Sequence, residues 1–266
     1  YSLIPSINSI VIKDESYYEF PTYRSKEFAE KNYELYQKIL NQPIKKQTMI
    51  DQEVQIFQHF VKEPFLEIKG TGDKDYNVKF FDEEGVCHYE NTIKPNHWVK
   101  LNRGYYTKWR AVVTRDNEVI YDNTMDLTNK RVYISFDSKS LGDSIAWIPY
   151  VLEFKKKHDC KVIVSTFWNH LFEKKYPEIE FVVPGTTVHN LYAMYTIGWF
   201  YNNDKEPVLP NIIPLQQTIT NILGLEFNEI KPNIHTTIHP RPYKNKYVTI
   251  ATNSTSGCKF WTKEGW

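Results

Sequence analysis

After Asn129 the chain changes rhythm: short alternating runs give way to apolar β-type runs separated by helical spacings. That pattern restricts the fold more than any other feature, because strand and helix in alternation build a parallel α/β sheet. Its first unit is Arg131 to Tyr150, RVYISFDSKSLGDSIAWIPY. Val132 to Phe136 reads as a buried strand, and Leu141, Ile145, Ile148 and Leu152 recur at helical spacing. Ligands of such sheets sit beyond the carboxyl ends of the strands. The acid at this loop-to-helix junction, Asp143, is therefore expected to face a cleft.

The rhythm continues with strands expected at Lys161 to Ser165 and Glu180 to Val183, and a short helix at Trp168 to Lys175. Asn190 to Tyr201, NLYAMYTIGWFY, fits helix or strand equally. Leu215 to Leu223 reads as a helix stopped by Gly224. Residues 231–246, rich in Pro and His, read as a linker, and Tyr247 to Ala251 as the first strand of a further α/β domain. Upstream, Phe65 to Asp126 has period two with repeated turn signals and reads as six antiparallel strands. Helices are expected at Ser25 to Leu40 and Met49 to Phe60, after an extended arm over 1–24. The expected organisation is an arm with short helices (1–62), an antiparallel β-module (63–128), an α/β domain (129–245) and the start of a second (246–266). The chain begins at Tyr1 rather than Met and ends at Trp266 soon after that last strand, so it reads as a piece of a longer protein.

With 266 residues, 41% of them hydrophobic, the chain can bury one or two ordinary cores. Its 33 basic and 32 acidic residues nearly cancel, which gives no general attraction to nucleic acid or anionic membrane. No run of about 18 apolar residues exists to span a bilayer. Cys87, Cys160 and Cys258 form no CxxC pair or disulfide framework, which points to a reducing, cytoplasmic setting. Aromatic residues, 15% of the chain, pack cores and also line sugar and base sites.

Asp143 can act as a general base on a hydroxyl within hydrogen-bond reach. Asp is equally a preferred helix cap, so its spacing supports either role. Gly142 beside it permits an unusual backbone angle and close approach of a substrate. Lys259 ends a polar loop, Thr252 to Lys259, whose hydroxyls, amides and ammonium group can meet a phosphate. It lacks the first glycine of a Walker motif, and a solvated surface lysine is the plain alternative. His170, His189, His235 and His239 lack zinc-site spacing and read as structural. Lys155, Lys156, Lys157 and His158 read as the solvated end of a helix, favoured there by its dipole.

The runs SFDSKSLGDSIAWIPYVLEF, STFWNHLF, YPEIEFVVPG, NLYAMYTIGWFY and TNSTSGCKFW together resemble the bacterial autotransporter O-heptosyltransferases, relatives of the lipopolysaccharide heptosyltransferases of glycosyltransferase family 9. The resemblance covers Phe65 to Trp266. It implies a GT-B architecture, with a Rossmann-like acceptor-side domain preceded by the β-rich module and only the beginning of the donor-side domain present. It also implies inverting transfer of heptose from ADP-heptose to serine hydroxyls of an autotransporter adhesin, without a catalytic metal or cofactor. On that resemblance Asp143 matches the catalytic base, with Gly142 beside it. Lys259, Thr252 and Ser254 match the start of the donor-binding region. The implied partners are the acceptor protein and a nucleotide sugar, with homo-oligomerisation allowed. The family's carboxy-terminal cysteine cluster binds iron and supports a ring assembly. The three cysteines here lack its spacing, so iron is not expected on these residues. Two other functions compete: a non-catalytic interaction scaffold on a degenerate glycosyltransferase fold, and a lipopolysaccharide-type glycosyltransferase.

Overall fold

The computed structural model describes residues 54–236, 240, 243–248 and 250, together with the backbone of a hairpin of β1 (Ser9–Lys13) and β2 (Ser16–Phe20). Residues up to His235 form one compact unit, and a second begins at Thr236. The helix expected at Ser25 to Leu40 lies outside the described residues.

A seven-stranded mixed sheet carries the first unit. Its strands are β3 (Val54–Val61), β4 (Phe65–Gly70), β7 (His97–Lys100), β10 (Arg131–Phe136), β11 (Lys161–Ser165), β12 (Glu180–Val182) and β13 (Ala193–Ile197). They lie in the order β12-β11-β10-β13-β3-β4-β7. The first five are parallel, and β4 and β7 extend the sheet antiparallel from β3. A second, four-stranded antiparallel sheet has the order β6-β5-β8-β9, from β5 (Tyr76–Phe81), β6 (Cys87–Ile93), β8 (Arg110–Arg115) and β9 (Glu118–Thr124). The mixed α/β class is the one expected.

All six strands expected between Phe65 and Asp126 occur, but they divide between the two sheets. The strand that recruits β4 and β7 is β3, where the sequence suggests a helix over Met49 to Phe60. VQIFQHFV lies in the interior of the mixed sheet and is covered on both faces, so the period-two signature of a half-buried strand is missing. One core spans the sheets, holding Leu66, Ile68, Val78, Phe80, Ala111 and Val113 beside Val132, Ile134 and Val164. Gln58 on β3 ties them further: its Oε1 accepts hydrogen bonds from the Tyr121 hydroxyl (2.7 Å) and Asn123 Nδ2 (3.0 Å) on β9.

Helix α1 (Leu141–His158) crosses from β10 to β11. Its buried stripe is Ser144, Trp147, Ile148, Val151 and Phe154, turned from the expected Leu141, Ile145, Ile148, Leu152. Leu141, at the helix start, stays exposed at the sheet edge, while Trp147 is fully buried against Phe136 and donates its indole N–H to Leu215 O at 3.0 Å. That bond fixes α2 (Leu215–Ile222), the helix expected before Gly224. The basic end of α1 is only partly solvated. Lys157 donates to Gly224 O at 2.7 Å, and His158 packs between Tyr106 and Phe154, where burial and the Lys157 and Lys108 charges lower its pKa to about 4.

Trp168 to Lys175 holds only a 3-10 turn, Asn169–Leu171, rather than a short helix. There Asn169 Oδ1 accepts the Thr166 N–H and hydroxyl, and Asn169 Nδ2 donates to Val182 O. The aromatic run resolves as strand β13, buried between β10 and β3. In the second unit Tyr247, Val248 and Ile250 are exposed and lie in no strand, contrary to the expectation for Tyr247 to Ala251.

Candidate functional site at the carboxyl ends of the parallel strands

The register places Ser135 of β10 beside Ser165 of β11, and Phe136 beside Ile197 of β13. The segments leaving these strands, residues 137–140, 166–168 and 198–201, therefore emerge along one sheet edge. Asp137 N–H donates to Ile197 O at 2.8 Å, and the Trp168 indole N–H donates to Lys139 O at 3.0 Å. Those bonds lace the three segments together. Phe167, Trp199 and Tyr201 expose their rings here, and the Lys139 ammonium lies 5.4 Å from the centre of the Phe167 ring.

Asp143 sits in the first turn of α1 at this edge, 9% exposed. It is not the cap. Ser140 is, its hydroxyl accepting the Asp143 N–H at 3.4 Å, and Ser140 N–H is in turn taken by Ser138 Oγ at 3.1 Å. The Asp143 carboxylate is thereby left for other partners. Its Oδ2 accepts the Ser138 hydroxyl at 2.6 Å and the Trp199 indole N–H at 2.9 Å. Both fall in the range of hydrogen bonds to a charged acceptor. Oδ1 accepts no hydrogen bond from a described residue. The first-turn position also suits a negative charge, through the helix dipole.

Gly142 is ordinary helix, without a positive φ, so the expected unusual backbone angle is absent. A Cβ there would come no closer than 3.8 Å to Ser140 Oγ. Its contribution is an open surface next to Asp143. Lys259, Thr252 and Ser254 lie outside the described residues, as do His239 and Cys258. His170 is exposed, and His189 and His235 are partly buried.

Sequence reasoning missed Ser138, Trp199 and Glu206. Trp199 lies in the aromatic run that contains β13, and that run was its available signal; Glu206 follows it in a polar segment. Glu206 is 1% exposed; its Oε2 accepts Phe200 N–H at 3.3 Å, and its Oε1 has no partner. Burial raises its pKa to about 7, against the lowering effect of the Phe200 amide. The folded state therefore holds a proton that the unfolded chain releases near pH 4.5, and stability falls as pH rises from there to about 7. Glu206→Gln is expected to stabilise the fold by about 1–2 kcal/mol at pH 8 and by little at pH 5. Denaturant melts of both proteins at the two pH values check this, and a pH-independent difference would contradict it.

Comparison with known proteins fits this edge to a group. No protein-family model matches the chain. The autotransporter heptosyltransferase Aah of Escherichia coli is 32% identical over 200 residues, covering 72% of this chain and 51% of Aah. This chain is a relative of the autotransporter heptosyltransferases. A crystal structure of TibC, described as an iron-containing dodecameric glycosyltransferase of enterotoxigenic E. coli, superposes with a TM-score of 0.70 at 26% identity over 78% of this chain and 55% of TibC. A second TibC structure, in complex with ADP-D-beta-D-heptose, gives the same TM-score at 25% identity. The inactive autotransporter heptosyltransferase BimC of Burkholderia thailandensis is 27% identical over 173 residues, covering 63% of this chain and 41% of BimC. The chain thus spans about half the length of the curated relatives it matches.

An iron centre like the one named for TibC does not fit the described residues. Cys87 is exposed and Cys160 buried, and no three His, Cys, Asp or Glu side chains among them assemble a metal group. No helix among the described residues is long and apolar enough to cross a membrane.

Proposed function

We propose that this chain carries the acceptor side of an inverting glycosyltransferase of GT-B architecture, which moves heptose from ADP-heptose to serine hydroxyls of an autotransporter protein in the bacterial cytoplasm. The observation that carries the reading is the Asp143 carboxylate, held through Oδ2 at the carboxyl ends of the parallel strands, with Oδ1 accepting no hydrogen bond from a described residue. The relationship to the autotransporter heptosyltransferases supplies the donor and acceptor classes.

In this mechanism Asp143 takes the proton of the serine hydroxyl as its oxygen attacks the anomeric carbon from the face opposite the leaving ADP. One bond forms to the serine oxygen and the bond to the diphosphate oxygen breaks, so configuration inverts. The departing diphosphate needs compensating charge, for which Lys259 is proposed, with Thr252 and Ser254 beside it. An oligomer is part of the same proposal, by relation to dodecameric TibC.

Incubating the protein with ADP-heptose and an autotransporter passenger is expected to add a heptose-sized mass to serine, read by peptide mass spectrometry. An unmodified passenger together with a modified lipid acceptor would instead assign a lipopolysaccharide-type enzyme. The relation to an inactive heptosyltransferase favours one second reading, a non-catalytic scaffold. Passenger binding without any calorimetric binding of ADP-heptose would establish that reading.

A further inference from the structure

We infer that Trp199 is a positioning residue for the base: its indole N–H, with the Ser138 hydroxyl, fixes Oδ2 of Asp143 so that Oδ1 is the oxygen that receives the acceptor's proton. The inference rests on the reading of Asp143 as general base.

The two oxygens of a carboxylate are chemically equivalent until neighbours distinguish them, and the carboxyl torsion is soft. Two donors converge on Oδ2, at 2.6 and 2.9 Å, and among the described residues none on Oδ1. They hold the carboxylate plane and leave the lone pairs of Oδ1 for an incoming hydroxyl. The donors follow neighbouring strands that are far apart in sequence. Ser138 belongs to the segment between β10 and α1, whereas Trp199 follows β13, 56 residues from Asp143.

The backbone carrying the indole is fixed on both flanks. At Gly198 a Cβ would lie 2.9 Å from Phe200 Cζ and 3.3 Å from Asp137 Cβ, so the chain passes where no side chain fits. On the other flank Phe200 N–H is held by the buried Glu206. Burial does not account for the tryptophan, which remains 42% exposed. Its polar edge meets the carboxylate, and its exposed surface lies at the carboxyl ends of the parallel strands, where ligands of such sheets bind and aromatic rings accept sugar or peptide surfaces. A role confined to such stacking would need only the ring.

Trp199→Phe separates the two roles, because it keeps an aromatic ring and removes the N–H. In the heptosyl-transfer assay with the complete protein, kcat is expected to fall about tenfold, while KM for the acceptor changes less than about twofold. Ser138→Ala, which removes the other donor to Oδ2, is expected to lower kcat likewise with KM little changed, and provides a second variant should Trp199→Phe be poorly folded. Asp143→Asn is assayed in parallel. Activity retained by Asp143→Asn would remove the base assignment itself. An inactive Asp143→Asn, with the kcat of both donor variants unchanged, would overturn the role of Trp199 and leave the base in place.

Discussion

Asp143→Asn is expected to lower sugar transfer by about a thousandfold while the protein keeps its fold, because a positioned general base contributes about 10²–10⁴ in rate. The amide has the shape of the carboxylate and can still accept the Ser138 hydroxyl and Trp199 indole bonds at the Oδ2 position. It has no oxygen basic enough to take the proton of a serine hydroxyl. The cap of α1 is untouched, since Ser140 provides it through the Asp143 backbone N–H. A thermal melt within a few degrees of wild type should therefore accompany the loss. Transfer above about a tenth of the wild-type rate, far outside the range for a lost base, would exclude Asp143 from that role and return it to a structural one.

The second large effect concerns folding. Gly224→Ala is expected to destabilise the protein by about 3 kcal/mol, from about 1–2 for a left-handed alanine and a further 1–3 for overpacking. Gly224 has φ +60° just beyond α2. Leu225 N–H donates to Thr220 O at 2.8 Å and Gly224 N–H to Asn221 O at 3.4 Å, the paired bonds of a Schellman stop. An added Cβ would also lie 2.4 Å from Tyr106 Cδ1. That ring cannot retreat freely: it packs against Phe154, His158 and Tyr195, and Tyr106 N–H donates to Ile222 O at 2.7 Å. A fall of roughly 10 °C in Tm is the corresponding shift for a unit of this size. A melt unchanged within about 2 °C, less than 1 kcal/mol on that scale, would show that Tyr106 moves aside at little cost.

These two residues also show how far the sequence could be read. Gly224 was legible as a helix stop because the cap is local: its bonds reach back only to residues 220 and 221. Its collision with Tyr106 was not, since Tyr106 lies more than a hundred residues earlier in the chain. Asp143 was legible as an acid at the junction of β10 and α1, but its spacing suited a cap as well as a base. Ser140 resolves that choice by occupying the cap, and Ser138 and Trp199 give the carboxylate another task. The strand β3 was misread because its burial on two faces removes the period that identifies a strand. Glu206 gave no signal, since an acid in a polar segment looks solvated until packing closes over it.

By itself, the sequence determined the positions of β10, α1, β11 and α2 and the placing of an acid where β10 gives way to α1, because periodicity, caps and stops act over a few residues. Only the tertiary structure decided which strands share a sheet, which face α1 buries and which donors meet Asp143. Those outcomes depend on segments far apart in the chain arriving at one sheet edge, and no local pattern encodes the pairing of Trp199 with a carboxylate 56 residues away.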